Sequence, residues 1–387
     1  MFEMFMMFEM FEMFSNHNNI NIINFPNFLN SFFCEHPCKL EFETKICIER
    51  EESIIFANPV TMVHQSIVNK MKIIDLIQPA KKTLFSFELL PPLKGQNADK
   101  LYETIDELIE YKPKYINLTT HRDEIEYRTL DNGLLEKKIV RKRPGTVAIA
   151  AAIQYKYGIP VVPHVVCGGF TREETENMLI DLNFLGIENV LALRGDGLKS
   201  ENFFVPENNG HSHANELVEQ IVNLREGKYL DPELKNKTTM DFCIGVAGYP
   251  EKHAEASNPE TDLLYLKQKV DAGADYIVTQ MFFDNRKYFD FVERCRAIGI
   301  TVPIIPGIKP LALMNQITML PKIFSIDIPE EFAAEVRKCK TNDEARQVGT
   351  EWAIHQAKDL IANKVPCLHI YTYGITDNTR QIAKIIL

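Results

Sequence analysis

Residues 160–195 read PVVPHVVCGGFTREETENMLIDLNFLGIENVLALRG, and this stretch decides the architecture. Pro160–Cys167 is a nearly continuous apolar run, the composition of a parallel strand covered on both faces. Thr171-Arg-Glu-Glu174 follows as a capping box, in which threonine and glutamate satisfy each other's orphan amides at a helix start. A second apolar run, Asn189–Gly195, closes the unit. The same strand–helix rhythm extends both ways, with strand candidates at Thr83–Leu90, Tyr115–Thr120, Asp241–Tyr249, Tyr276–Phe283, Thr301–Lys309 and Cys367–Gly374. One intervening helix is marked by Asn258-Pro259, an N-cap followed by proline at the first helical position, and by a stop near Gly273. Eight βα alternations without a hairpin signal favour an α/β fold of the (β/α)8 TIM-barrel type over an open doubly wound sheet, the alternative. The loop Leu198–Asn215, rich in Asn, Gly and His, is expected to be exposed.

The chain has 387 residues, 45% hydrophobic and 25% charged, a globular composition. With 43 Lys plus Arg against 53 Asp plus Glu, the net charge of −10 speaks against sequence-independent nucleic-acid binding. No run of 18 uncharged apolar residues occurs, so no membrane span is expected. Eight cysteines without framework spacing read as reduced thiols of a cytoplasmic protein. The first seventy residues differ in kind. MFEMFMMFEMFEMF fits neither a secretory signal nor a transit peptide, and the next stretch is biased to Asn, Ile and Phe. Cys34, His36 and Cys38 have ligand-like spacing but no second half-site at zinc-finger distance, so no metal is expected. Ordinary periodicity begins at Met71. Residues 1–70 are therefore read as a low-complexity, poorly ordered extension or gene-model artefact, and residues 71–387 as one catalytic barrel.

In such a barrel, chemistry sits at the C-terminal ends of the strands. Those ends carry Glu88, Thr119, His164, Asp196, Tyr249, Gln280, Tyr371 and Thr372. Glu88, between Phe87 and Leu89, is either a poised general acid or an ordinary ion-paired carboxylate. Asp196 taken alone reads as a loop or cap aspartate, and a lone strand-end histidine such as His164 reads more readily as structural. Gly195-Asp-Gly197 follows a strand, but Ser200 occupies the third glycine position and no helix follows, so the dinucleotide fingerprint fails. On the helix after Asn258, Leu263, Leu266 and Val270 share a core-facing side. Asp262, Tyr265 and Lys269 form a stripe beside it: either a solvated flank or a ligand shelf with Lys269 near a phosphate.

Together FSFELLPP, PHVVCGGFTREE, NVLALRGD, GVAGYPEKHAEASNPETDLLYLKQKVDAGADYIVTQMFFD and VPIIPGIKPL resemble the methylenetetrahydrofolate reductase family, in family order and across essentially all of residues 71–387. The resemblance implies the same barrel, non-covalent FAD, and reduction of 5,10-methylenetetrahydrofolate to 5-methyltetrahydrofolate by NADH or NADPH. It implies that Glu88 is the general acid opening the folate's five-membered ring, that Asp196 lies beside flavin and pterin, and that Gln280 hydrogen-bonds folate. Thr119, His164, Tyr249, His253, Asp262 and Lys269 match flavin-lining positions, with Tyr265 on the same stripe. Arg194 and Gly195 are expected to shape the loop against the flavin. One face used in turn by nicotinamide and folate implies ping-pong kinetics, and family members are commonly homo-oligomers.

Some positions depart from the family pattern. Ile375 stands where an arginine often contacts folate, with Arg380 as a substitute in prospect. Met314 and Leu320 are the nearest residues to a customary stacking phenylalanine, and Gln268 replaces a common basic residue. Neither a regulatory domain after residue 387 nor control by adenosylmethionine is expected. Two rivals stand beside the reductase: a flavin- or folate-binding barrel without catalysis, and another barrel lyase or aldolase.

Overall fold

The computed structural model describes residues 46–50, 53–57, 71–197, 203–372 and 376–387. The chain divides into two units, Met1–Asn69 and Lys70–Leu387. In the first, Ile46–Arg50 and Ser53–Ala57 form an antiparallel ribbon. The spacing at Cys34, His36 and Cys38 lies outside the described residues, as does most of the expected extension.

The second unit is a parallel barrel. Its strands are β1 (Leu84–Leu89), β2 (Tyr115–Leu118), β3 (Val161–Val166), β4 (Asn189–Leu193), β5 (Cys243–Gly248), β6 (Tyr276–Thr279), β7 (Ile304–Ile305 and Gly307–Ile308) and β8 (Cys367–Tyr371). Each pairs in parallel with its neighbour in chain order, and β8 pairs with β1. The expected strand Thr301–Lys309 is shorter and broken at Pro306, which has no amide hydrogen to give. Ile304–Ile305 pairs with β6 and Gly307–Ile308 with β8, so the two halves of β7 close the circle. His369 donates its amide to the Pro306 carbonyl at 3.1 Å across the break. The other strands fall within their expected ranges, trimmed at the ends.

Eleven helices complete the described part of this unit: α1 (Ile73–Ile77), α2 (Asp99–Ile109), α3 (Thr146–Tyr157), α4 (Arg172–Phe184), α5 (Ala214–Arg225), α6 (Pro259–Asp271), α7 (Asn285–Ala297), α8 (Gln316–Phe324), α9 (Glu330–Lys338), α10 (Asn342–Ala362) and α11 (Thr376–Ile386). The capping box at Thr171 and Glu174 forms as read. Strand residues alternate between two cores, because successive side chains point to opposite faces. Phe85, Phe87 and Leu89 pack outward with Leu101, Ile105 and Leu108 of α2. Tyr115, Val162, Leu191, Cys243, Tyr276, Ile305 and Cys367 fill the barrel interior. Glycine opposes the largest interior rings. A Cβ on Gly245 would sit 2.5 Å from the Tyr276 ring, and one on Gly307 would lie 2.6 Å from the Tyr371 ring. Among the described residues no helix is long and apolar enough to cross a membrane.

Two expectations need correction. A hairpin does interrupt the alternation: Glu124–Thr129 pairs antiparallel with Leu135–Val140 between β2 and α3. Its signal was Asp131-Asn132-Gly133, with Gly133 at φ +80° and Leu130 accepting the Gly133 amide. Both strands are largely exposed, so neither has the apolar run that betrays a buried strand. The loop to Asn215 is not exposed throughout. Residues 198–202 lie outside the described residues, but His211 is 1% exposed, hydrogen-bonded to Gln220, and Gly210 bridges to Thr171.

The helix α1 plugs the N-terminal end of the barrel, with Ile73 and Ile77 joining the interior core. Asn189, 2% exposed at the start of β4, holds it there: Oδ1 accepts from the Ile73 amide at 2.8 Å and Nδ2 donates to the Met71 carbonyl at 3.0 Å. Replacing Asn189 with alanine strands both backbone groups. We expect a loss of about 1–3 kcal/mol of unfolding free energy in urea titrations, the cost of leaving buried backbone groups unpaired.

Candidate active site

Inward alternation at the C-terminal ends of the strands places polar groups above the apolar interior. Glu88 of β1 registers with Asn117 of β2 on one side and with Tyr371 of β8 on the other. Lys309, one residue past the Ile308–Ile370 pair, continues the layer beside Tyr371. Glu88 and His164 are each 7% exposed, and Glu88 Oε2 lies 3.3 Å from His164 Nε2. Asn117 is fully buried, yet neither atom of its amide has a hydrogen-bond partner. Thr372, flagged as a strand-end residue, donates its hydroxyl to the Glu88 carbonyl at 2.6 Å and fixes that backbone. The Tyr371 hydroxyl donates to the Thr279 carbonyl at 2.6 Å. Thr119 hangs from Leu89 through its amide, and its hydroxyl lies 3.3 Å from His121 Nε2. Burial, with Arg143 nearby, holds the His121 imidazole below its ordinary pKa.

A second group assembles on α6. Asn258 caps this helix by accepting the Thr261 amide at 2.8 Å, which sets Asp262 in the first turn and Lys269 two turns later on one side. Asp262 accepts the His253 amide at 3.1 Å, and burial raises its carboxyl pKa. Lys269 donates to the Ala247 carbonyl at 2.5 Å and sits 5.8 Å from the Tyr249 ring centre. Burial pushes its ammonium down to about 8 against the opposing pull of Asp262. Tyr249 meets His253 edge-on at 4.7 Å. Burial, then the nearby Arg194 charge, lowers the His253 pKa, and burial raises that of the Tyr249 hydroxyl. Tyr265 instead faces solvent, 53% exposed.

The end of β4 joins this group through Arg194. Its guanidinium pairs in two-pronged fashion with Glu255, at 2.5 and 2.8 Å, and lies 4.8 Å from the Phe204 ring. Glu255 is held below the usual carboxylate range by that guanidinium, and its amide donates to His253 Nδ1 at 3.2 Å. Gly195 turns the chain at φ +82°, a left-handed position that suits glycine, and Asp196 follows on the exposed side. Gln280 is half-buried after β6, its Oε1 accepting the Met281 amide at 2.9 Å.

Most strand-end residues read from the sequence thus gather in two groups, one on Glu88 and His164, the other on Tyr249, His253, Asp262, Lys269 and Arg194. Lys309, Asn117, His121 and Glu255 were missed. Lys309 and Asn117 could have been found by carrying the inward alternation of β7 and β2 to their ends. Glu255 had no periodic signal. Among the departures, Ile375 lies outside the described residues. Arg380 on α11 reaches Glu107 of α2 at 4.0 Å in a surface pair. Leu320 is 2% exposed in a separate apolar cluster with Phe332 and Val336, and Met314 packs against the same cluster. Gln268 is exposed.

The fold and these groups define a (β/α)8 barrel with a buried carboxylate–imidazole pair at its C-terminal mouth and a half-buried cationic shelf on α6. A family model described as methylenetetrahydrofolate reductase matches residues 72–386, and the chain belongs to that family. It is 34% identical over 318 residues to methylenetetrahydrofolate reductase (NADH) 1 of Arabidopsis thaliana, covering 79% of this chain and 49% of that protein. It is 28% identical over 354 residues to a probable methylenetetrahydrofolate reductase (NADPH) of Caenorhabditis elegans, covering 90% and 48%. With 5,10-methylenetetrahydrofolate reductase of Salmonella typhimurium it shares 32% identity over 290 residues, covering 74% and 85%. The chain therefore spans about half the length of the plant and nematode relatives it matches.

The position of Lys269 has a measurable consequence. Its folded pKa of about 8 lies below the ordinary lysine value of 10.5, so folding penalises the ammonium fully below pH 8 and not at all above 10.5. We expect the Tm of the wild type, relative to Lys269→Met, to rise as pH climbs from 8 towards 10.5. A difference that stays flat or falls over that range contradicts the burial.

Proposed function

We propose that this chain reduces 5,10-methylenetetrahydrofolate to 5-methyltetrahydrofolate with NADH or NADPH, using non-covalently bound FAD. The observation that carries the reading is the Glu88–His164 pair, buried at the mouth of the barrel beside an unpartnered Asn117 amide, in a chain of this family. A buried amide with both atoms unpaired calls for a polar partner from outside the protein. Lys269, Asp262 and His253 offer a cation, an acceptor and an imidazole along one side of α6, the donor set that a flavin dinucleotide's phosphates and hydroxyls require. When bound, FAD supplies a hydride relay between the nicotinamide and the folate's methylene carbon.

The protein's own groups do the rest. Glu88 gives a proton to the folate nitrogen whose bond to the methylene breaks, the work of a general acid. Its burial excludes water from a cation that water would consume. Asp196 contributes a negative charge that favours the positive pterin as that charge develops. Gln280 turns its amide from Met281 to the folate. Thr119, Tyr249, Tyr265, Arg194 and Gly195 shape the flavin's surroundings. Nicotinamide and folate use one face in turn, giving ping-pong kinetics. Residues 71–387 form the catalytic unit apart from residues 1–70, working as a cytoplasmic homo-oligomer.

An absorption spectrum tests the reading directly. We expect the purified full chain to show flavin, to bleach on anaerobic addition of NADH or NADPH, and to recover colour on addition of methylenetetrahydrofolate. A colourless protein that FAD cannot reconstitute sinks the proposal. In Glu88→Gln we expect bleaching to persist while recovery slows by about 10²–10⁴-fold, the range of general acid catalysis; equal loss of both steps contradicts the assigned role. Lys269→Ala should lower the flavin retained through gel filtration, and unchanged flavin content counts against the shelf.

A further inference from the structure

The connection between β5 and α6 belongs to no strand or helix, yet it carries Tyr249, His253 and Glu255 of the shelf. From residue 251 to residue 258 only Ala256 is buried, so apolar packing does little to fix the shape of this loop. Backbone hydrogen bonds do that work. The Ala256 amide donates to the His253 carbonyl at 3.1 Å and closes a tight turn over residues 253–256. Lys252 reaches into the same turn from the preceding position. Its ammonium donates to the Ala256 carbonyl at 2.7 Å, to the His253 carbonyl at 3.1 Å and, more weakly, to the Ala254 carbonyl at 3.5 Å. An ammonium has three hydrogens, and these three acceptors take them all. Lys252 is spent on its own loop and keeps no hydrogen in reserve for a bound phosphate.

The turn decides which hydrogen the His253 ring presents. The Glu255 amide donates to His253 Nδ1 at 3.2 Å. A backbone N–H can only donate, so Nδ1 is an acceptor and the neutral ring carries its hydrogen on Nε2. Burial and the Arg194 charge hold the ring below its ordinary pKa, which keeps it neutral near pH 7. Tyr249 meets the ring edge-on at 4.7 Å, and the His253 amide is tied to Asp262 at 3.1 Å. Nε2–H itself has no partner among the described residues. Resting on the reductase reading, we propose that Lys252 is a positioning residue for the flavin. By gathering the carbonyls of His253, Ala254 and Ala256 it keeps the Glu255 amide on Nδ1, and so presents Nε2–H as a donor to an oxygen of the dinucleotide.

Two other duties fit the lysine less well. A direct contact to a flavin phosphate needs a free N–H, and all three are engaged. A general attraction for phosphate charge needs no particular arrangement of the loop carbonyls, whereas here the ammonium is centred among them. The Arg194–Glu255 pair does not replace Lys252, because it grips the Glu255 side chain and leaves the carbonyls of the turn without a donor. Without the ammonium, those half-buried carbonyls must find water, and the turn opens to admit it. The Glu255 amide then leaves Nδ1, the imidazole hydrogen divides its time between the two nitrogens, and Nε2 is a donor for only part of that time.

The test reads the tautomer and the flavin affinity separately, both on the full chain. In flavin-free protein labelled with nitrogen-15 histidine, NMR distinguishes protonated from bare ring nitrogens, and the His253 signals are identified by their loss in His253→Asn. We expect the wild type at about pH 8 to show His253 in the Nε2–H form alone, and K252M to show both forms. Fluorescence titration with FAD should give K252M a Kd about five- to tenfold above wild type, the scale of one lost hydrogen bond. Mixed tautomers with wild-type affinity overturn the proposal. So does a single tautomer with weakened affinity, which leaves the lysine a role through charge alone. K252R keeps the charge on a planar fork, and full affinity there with mixed tautomers overturns the proposal in the same way. If K252M does not fold, K252Q, which keeps a short N–H donor without the charge, carries the same comparison, and its two readings should shift together. A wild type that FAD cannot reconstitute removes the reductase reading and the flavin link with it, whereas an FAD-binding wild type beside a K252M of equal affinity removes this inference alone.

Discussion

The sheet in residues 71–387 closes where β7 changes partner. Ile304–Ile305 pairs with β6 and Gly307–Ile308 with β8, on either side of Pro306. Closure removes both edges of the sheet, and the two-residue period of each strand then divides its side chains between an outer shell and a narrow interior. The interior has little room, and it is filled by setting glycine against tyrosine: Gly245 faces Tyr276 and Gly307 faces Tyr371. The same close approach at Gly307 brings the end of β7, and Lys309 with it, next to the strand that carries Tyr371, which pairs in turn with the strand of Glu88. Packing low in the barrel and the placement of charge at its mouth therefore have one geometric origin.

The charged groups at the mouth are arranged unequally. On one side Glu88 is buried against His164, with Lys309 in the same layer; on the other, Lys269 and Asp262 are balanced along α6 and Arg194 is locked to Glu255. The Arg194–Glu255 pair is geometrically complete and ties the end of β4 to the loop after β5. By contrast, both atoms of the Asn117 side-chain amide are buried without hydrogen-bond partners. A buried amide left open at a barrel mouth is satisfied by a ligand with complementary donors and acceptors.

Much of this was legible beforehand where sequence and structure share a period. The apolar runs of β1, β3 and β4, the box at Thr171 and Glu174, and the cap at Asn258 each depend on residues within a few positions of one another. They appear where they were read. The hairpin at 124–140 was missed because its strands are exposed, so polar residues interrupt the apolar runs. The break at Pro306 was visible as a residue type, but the change of partner it accompanies depends on β6 and β8, which lie far away along the chain.

The sequence by itself determined the barrel, the strand-end positions of Glu88, His164 and Tyr249, and the stripe of Asp262 and Lys269 on α6, because local periodicity fixes which way each side chain points. Only the tertiary structure decided which of those groups meet. It set Glu88 3.3 Å from His164, turned Tyr265 to solvent while burying Asp262, buried Leu320 in a separate cluster, and paired Arg194 with Glu255. Distance between side chains on different strands is set by barrel radius and register, which depend on the whole closed sheet and are written in no single segment of the chain.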